Sequence, residues 1–298
     1  MEDSIVINFD PSSRLALSFI LGFVMFGVSL ELTWADINRA FKRPKPTLLG
    51  LFSQFVLLPL VTFVIVWLWN PLPGLALGMF LVAACPGGTV SNFMSSVAKA
   101  DLGLSVSLTA ISTMLCVFLT PFNFEFWSSL YPATAELLKS VELNPVDLFQ
   151  TVLLFLIVPV FMGMFFNYKF PSPTEKIKKP IKWVSMLIFL GFVFIAFHKN
   201  QDSFMNHAHL VVALVIVHNT VAFLTGYLTG RVGRLGDAAS RSLSIETGIQ
   251  NGGLGLVICL TFFPEIGEMA LLCATWALWH IISGLVLSTI WGRIPHAT

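Results

Sequence analysis

The chain has 298 residues, of which 56% are hydrophobic and only 11% charged, with a net charge of +1 and a mean hydropathy of +0.82. Soluble domains carry about 25% charged residues, so this composition excludes an ordinary soluble fold. The near-zero net charge gives no electrostatic footprint for nucleic acid, and no nucleic-acid partner is expected.

Apolar runs near the 20 residues a helix needs to cross a bilayer recur along the chain, whereas the alternation of a membrane barrel strand is missing. The fold class expected is an all-α polytopic membrane protein with nine transmembrane helices. The spans are Leu15–Leu32, Thr47–Leu68, Leu72–Val97, Leu102–Leu119, Val146–Phe166, Ile181–Phe197, Leu210–Leu228, Ser242–Phe263 and Met269–Trp291. Met1–Pro11 is polar and the first apolar run is long enough to span, so no cleaved signal peptide is expected. The four cysteines (Cys85, Cys116, Cys259, Cys273) lie in apolar runs without metal-type spacing and read as packed free thiols.

With nine spans and the N-terminus outside, 14 of the 17 Lys and Arg fall in cytoplasmic loops. This positive-inside bias places the C-terminus in the cytoplasm and fits a multi-pass protein of the cell membrane, a bacterial inner membrane. Glu125, Glu136, Glu142 and Asp147 then read as the surface of a long outer loop.

Two spans are interrupted. The third carries Cys85-Pro86-Gly87-Gly88-Thr89-Val90-Ser91-Asn92, and the eighth carries Glu246-Thr247-Gly248-Ile249-Gln250-Asn251-Gly252-Gly253. Proline removes a helical hydrogen bond and glycine loosens the backbone, so neither span is expected to continue as one regular helix. Polar, glycine-interrupted spans in corresponding halves point to a transporter site built from discontinuous helices of an inverted repeat. Spans one to four correspond to spans six to nine, the odd fifth span inverting the second half.

Glu246 is the only acid well inside a span, and such a carboxylate requires a cation or a proton. Its prospective neighbours, Ser53, Gln54, Ser91, Asn92, Ser105, Thr109, Ser112, Thr247 and Gln250, make an all-oxygen ligand set. Ser105, Thr109 and Ser112 share one helical face. Thiolates and paired imidazoles suited to transition metals are missing from this set, and a single carboxylate suits Na⁺ better than a divalent ion. Two other readings stay open: a protonated Glu246 serving a proton-coupled carrier or antiporter, and a Glu246 drawn to the cytoplasmic interface by Arg241, five residues before it. Helix N-termini at the breaks, around Thr89, Val90 and Asn251, favour an anionic substrate. His218-Asn219 in the seventh span reads as an interhelical hydrogen-bonding pair. No Gly-x-Ser-x-Gly or His-Glu-x-x-His pattern accompanies the histidines, and no enzyme is expected.

The two interrupted motifs, with Ser53-Gln54, Leu104–Thr109, His218-Asn219 and Trp279–Gly284, resemble the bile acid:sodium symporter family over nearly the whole chain. The resemblance implies crossing broken helices in a core domain, residues 46–130 and 207–293, with the breaks in 72–98 and 238–263. A panel domain of residues 1–45 and 146–200 completes the fold; family members commonly carry one further first helix, so the panel here has three. It implies symport of an organic anion with two sodium ions across the bilayer, and no obligate protein partner. One sodium site would use Ser91, Asn92, Ser105, Thr109 and Glu246. The other would use Gln54, Glu246 and Gln250 with carbonyls near Thr247 and Ile249. Thr89, Val90, Asn251 and His280 would face substrate, and Ile281 stands where relatives often have Asn.

Overall fold

A computed structural model describes residues 14–140, 153–199 and 201–295. The described residues are almost entirely helical: α1 Arg14–Ser29, α2 Trp34–Lys42, α3 Pro44–Trp69, α4 Pro73–Ala84, α5 Val90–Val97, α6 Leu102–Leu130 and α7 Pro132–Ser140. There follow α8 Val158–Lys169, α9 Pro171–Lys199, α10 Gln201–Val232, α11 Asp237–Gly248, α12 Gly252–Phe262 and α13 Gly267–Arg293. Among the described residues four stretches are helical, long and apolar enough to cross a membrane: α3, α6, residues Val211–Val232 of α10, and α13. The first part of the expected fifth span, and Glu142 and Asp147, lie outside the described residues.

The fourth span is longer than expected. Its helix runs to Leu130, through Pro121, and α7 follows at once. Glu125 and Glu136 therefore sit on helices rather than in a loop.

Both expected interruptions are present. The chain leaves α4 at Cys85 in an extended conformation (ψ 155°), as the residue before a proline must to avoid the pyrrolidine ring. It becomes helical again at Val90. The second break separates Gly248 from Gly252. At about 1.5 Å per residue, each pair of half-helices is long enough together to cover a bilayer core.

A break inside apolar surroundings exposes amide and carbonyl groups that no water can satisfy. Here the two breaks satisfy each other. Gly87 pairs with Gln250 in an antiparallel bridge, Gly88 N donates to Ile249 O at 2.9 Å, and Asn251 N donates to Pro86 O at 2.8 Å. Neighbouring helices serve the remaining ends. Thr120 donates to Ala84 O at 2.7 Å, and Asn219 donates to Gly248 O at 2.8 Å. Asn251 caps α12 through Oδ1, which accepts from Leu254 N at 3.0 Å.

Element order repeats around these breaks: a long helix, two half-helices and a long helix in residues 44–130 and again in 201–293. Between α10 and α11 the backbones nearly touch. A methyl on Gly226 would lie 2.3 Å from Leu243 O, and one on Gly230 would lie 2.6 Å from Ser240 Cα. Small residues four apart are what close helix approach in a membrane demands. Fully buried Leu77, Phe80, Leu81 and Trp276 form part of the apolar core that α4, α12 and α13 share. The four cysteines are free and buried.

Candidate functional site

Glu246, on the third turn of α11, is 2% exposed. Ser105 donates to its Oε2 at 3.1 Å, and Thr109 donates to its Oε1. Both hydroxyls also lie beside Asn92 Oδ1, at 3.0 and 3.2 Å. Ser91 Oγ is 3.4 Å from Thr109 Oγ1. The residues Ser91, Asn92, Ser105, Thr109 and Glu246, drawn from three stretches of the sequence, are thus one cluster, buried but for the half-buried Asn92. Each hydroxyl carries a single proton, so the two carboxylate oxygens, the amide oxygen and Ser105 O outnumber the donors facing them. Excess lone pairs around a carboxylate are what a small hard cation needs.

A second group surrounds Gly87. A methyl there would lie 2.8 Å from Glu246 Oε1 and 3.0 Å from Gln54 Nε2. Gln250, paired with Gly87 across the bridge, donates through Nε2 to Thr247 O at 2.8 Å. Both amide atoms of Gln54, and Gln250 Oε1, are buried without a hydrogen-bond partner. An unsatisfied buried polar atom costs about 1–3 kcal/mol, so the two orphaned amide oxygens, on residues gathered around Gly87 with Glu246, fit a cation that completes them. The local fold explains why Gln54 is presented here. Pro59 cannot donate to the carbonyl of Phe55, and the helix widens into a π-turn over Ser53–Leu57, with Leu58 N reaching back to Ser53 O. Thr247 contributes its carbonyl to this group, while its hydroxyl lies 2.9 Å from Ser53 Oγ. Ile249 O already accepts from Gly88 N and keeps one lone pair.

Arg241 does not draw Glu246 outward. It is itself buried, 3% exposed, and pairs with Asp237 at 2.7 Å. The guanidinium also donates to the carbonyls of Ala98 (3.2 Å), Trp291 (2.8 Å), Ile294 (3.3 Å) and Pro295 (3.3 Å). It thereby ties the start of α11 to the ends of α5 and α13.

The expected substrate residues are placed as follows. Thr89 and Val90 are half-buried at the start of α5, and Asn251 is half-buried at the second break. His280 is 5% exposed and its Nδ1 lies 2.7 Å from Trp276 O. It shares a helix face with Ala277, which abuts Gly252, and with Gly284, which abuts Met94 and Ile249. One expectation is corrected. The Asn251 N–H, read from the sequence as a free donor for an anion, is held by Pro86 O, and its Oδ1 is the cap of α12. Only its amide NH₂ is left to offer. Ser112 is also set apart, because its hydroxyl donates to Thr109 O at 3.2 Å.

His218 and Asn219 do bond between helices. His218 Nε2 is 2.6 Å from Thr62 Oγ1, and Asn219 accepts from Ser283 at 2.5 Å. Sequence reasoning overlooked Ser95, which donates to Ser105 Oγ at 3.0 Å from the edge of the Glu246 cluster. Its spacing of four from Ser91 was the available signal. Among the described residues no group of three or more His, Cys, Asp or Glu could hold a metal ion.

Apolar helices, two mutually satisfied breaks and a buried oxygen cluster at their meeting point define a multi-pass membrane protein of the transporter class. The sequence profile of the sodium bile acid symporter family matches residues 18–207, and the chain belongs to that family. It is similar to the sodium-dependent transporter YocS of Bacillus subtilis, 28% identical over 93% of this chain and 83% of that protein. It is 34% identical to the probable sodium/metabolite cotransporter BASS1 of Arabidopsis thaliana, a chloroplastic protein, over 92% of this chain and 66% of the plant protein. The human ileal sodium/bile acid cotransporter is 27% identical over 84% of this chain and 70% of its own length. These relatives are sodium-dependent transporters, and the chain is a transporter-family protein rather than an enzyme.

Proposed function

We propose that this protein is a secondary-active symporter that couples sodium entry to uptake of an organic anion by alternating access. The observation that carries the reading is that Gln54 and Gln250, whose amide oxygens are buried without partners, meet around Gly87 together with a carboxylate already ringed by hydroxyls. Two sodium ions would share Glu246 as cargo. One would lie with Ser91, Asn92, Ser105 and Thr109, the other with Gln54, Gln250 and the carbonyls near Thr247 and Ile249.

Sodium at these positions cross-links α3, α5, α6 and α11 about the paired breaks. Binding would therefore favour one arrangement of Thr89, Val90, Asn251 and His280, the proposed substrate contacts. That differential affinity is what couples the two cargoes. The helices bearing the breaks, residues 46–130 and 207–293, would move as a core against a panel of residues 1–45 and 146–200, making nine spans in all. The antiparallel pairing of Gly87 with Gln250 suits two halves related by an inverted repeat. With the N-terminus outside and the C-terminus cytoplasmic in a bacterial inner membrane, two sodium ions and a monovalent anion carry one net positive charge inward. A potential of 100 mV adds about 2.3 kcal/mol per charge to the driving force. The names of the relatives include both metabolite and bile acid as cargo, and within that range the half-buried helix start at Thr89 and Val90 favours an organic anion.

The test is a thermal-shift screen of small organic anions against purified protein in NaCl and in KCl. Stabilisation by an anion is expected in NaCl and lost in KCl; the same stabilisation in both salts would sink sodium coupling. Within this experiment Gln54→Ala is expected to remove part of the sodium-induced melting shift and leave the rest, since Gln54 belongs to one site only. A shift identical to that of the unaltered protein would remove Gln54 from the ligand set.

A further inference from the structure

An apolar groove of about 690 Å³ lies between α3 and α6, with walls that include Leu48, Phe52 and Val56 on one side and Leu119, Phe122 and Phe126 on the other. Asn123, the polar residue in its lining, spends its amide on its own helix, donating to Leu119 O and accepting from Trp127 Nε1. The groove thus offers hydrocarbon and nothing for a polar ligand. It opens between two helices that are each long enough to cross a membrane. Gly50 packs on Leu108, and the α6 wall runs from Leu119 to Trp127, eleven to nineteen residues farther along, so it lies roughly 16 to 28 Å along α6 from that crossing. The α3 wall, Leu48 to Val56, begins three residues beyond Lys45 and extends roughly 12 Å along α3, within the 30 Å of a hydrocarbon core.

The end of the groove nearest the α2–α3 corner is basic. Lys45 precedes Leu48 and Phe52 on one helical stripe, and Lys42 ends α2. Both lysines are exposed, and neither has an acidic partner among the described residues. Arg39 and Arg43 beside them are already paired, with Asp36 and Asp101. The same corner is built to lie at a membrane surface: α2 buries Asp36, Ile37 and Ala40 while presenting Trp34 and Phe41 outward, 45% and 73% exposed.

The geometry points to a site for an anionic phospholipid, its headgroup on Lys42 and Lys45 and one acyl chain in the groove between α3 and α6. An unpaired lysine one turn before an apolar slot between spans, with a second at the adjoining helix end, is complementary to a lipid that carries both a negative head and a tail. Since α3 also carries Gln54, occupancy would brace the helix that presents a proposed sodium ligand. The lipid site rests on the membrane reading of the fold and not on sodium coupling.

The experiment is native mass spectrometry of the full-length protein, released from non-ionic detergent in sodium-free ammonium acetate. It is titrated with phosphatidylglycerol or phosphatidylcholine of the same acyl chains. Retention of phosphatidylglycerol is expected to exceed that of phosphatidylcholine on the order of ten-fold, as two surface lysines would give. K42Q/K45Q should bring the two lipids level, and Val56→Trp, which fills the groove, should lower both. Equal retention by the unaltered protein, or a preference that survives K42Q/K45Q, overturns the proposal. Should K42Q/K45Q fail to purify, raising the ionic strength on the unaltered protein must erase the preference, and its persistence would count equally against the site. Glycerol phosphate without acyl chains must compete poorly; competition as strong as that of the lipid would remove the groove from the site. Glu246→Ala should keep the lipid preference, which separates this site's failure from that of sodium coupling.

Discussion

Glu246→Ala is expected to abolish the sodium-dependent rise in melting temperature and, with it, sodium-driven uptake. The carboxylate is the one charge at the meeting point of the breaks, 2% exposed, and both proposed ions use it. A ligand present at about 100 times its dissociation constant stabilises the folded state by about 2.7 kcal/mol per site, so losing both sites removes a shift that is easily measured. The variant should still fold without sodium, because alanine removes a buried charge and Ser105 and Thr109 keep Asn92 Oδ1 as an acceptor. Glu246→Gln should fail in the same way, since it preserves shape without charge. A sodium shift of unchanged size in either variant would refute the shared-ligand assignment. The proton-coupled alternative predicts the contrary pattern in transport, with uptake following a pH gradient and indifferent to sodium.

Gly87→Ala should separate the site from the fold. Gly87 does not have positive φ, so alanine is conformationally permitted. Its methyl would meet Glu246 Oε1 and Gln54 Nε2 at 2.8 and 3.0 Å, the ends of flexible side chains that can swing aside. The expected result is a loss of sodium-free stability of no more than about 1–3 kcal/mol, with sodium affinity lowered ten-fold or more. Gly226→Ala provides the contrast. Its methyl would meet the carbonyl of Leu243 at 2.3 Å, and backbone cannot move cheaply, so α10 and α11 must part and the melting temperature falls whether or not sodium is present. If Gly87→Ala binds sodium as the parent does, the space beside Gly87 is not a sodium site.

Much of this was legible from residue types. Proline and paired glycines inside apolar runs announce a break wherever they occur, because the lost N–H and the loosened backbone are local properties of Pro86, Gly87 and Gly88. The cluster around Glu246 was legible for a similar reason. An acid in an apolar span must find oxygen partners, and Ser105 and Thr109 already shared a helical face. Less legible were the fates of individual polar groups. Asn251 looked like a donor to an anion, yet its N–H and Oδ1 are both consumed by the fold. Arg241 looked like a loop cation that could lure Glu246 to the surface, yet it is buried with Asp237 and the carbonyls at the ends of two helices. Pro59 lies in sequence where it disturbs α3, but that the widened turn brings Gln54 to Gly87 is a matter of tertiary placement, since Gly87 belongs to another helix break.

By itself, then, the sequence determined an all-helical membrane chain, the location of its two interruptions and the oxygen-rich surroundings of its single deep carboxylate. These follow from hydropathy, from backbone chemistry and from the cost of a charge in an apolar medium. Only the tertiary structure decided that the two interruptions are one feature. Gly88 N finds Ile249 O, and Asn251 N finds Pro86 O, because a broken helix away from water needs a partner for its freed backbone groups. Residues 161 and 165 positions apart supply it to each other, and no local pattern states that pairing.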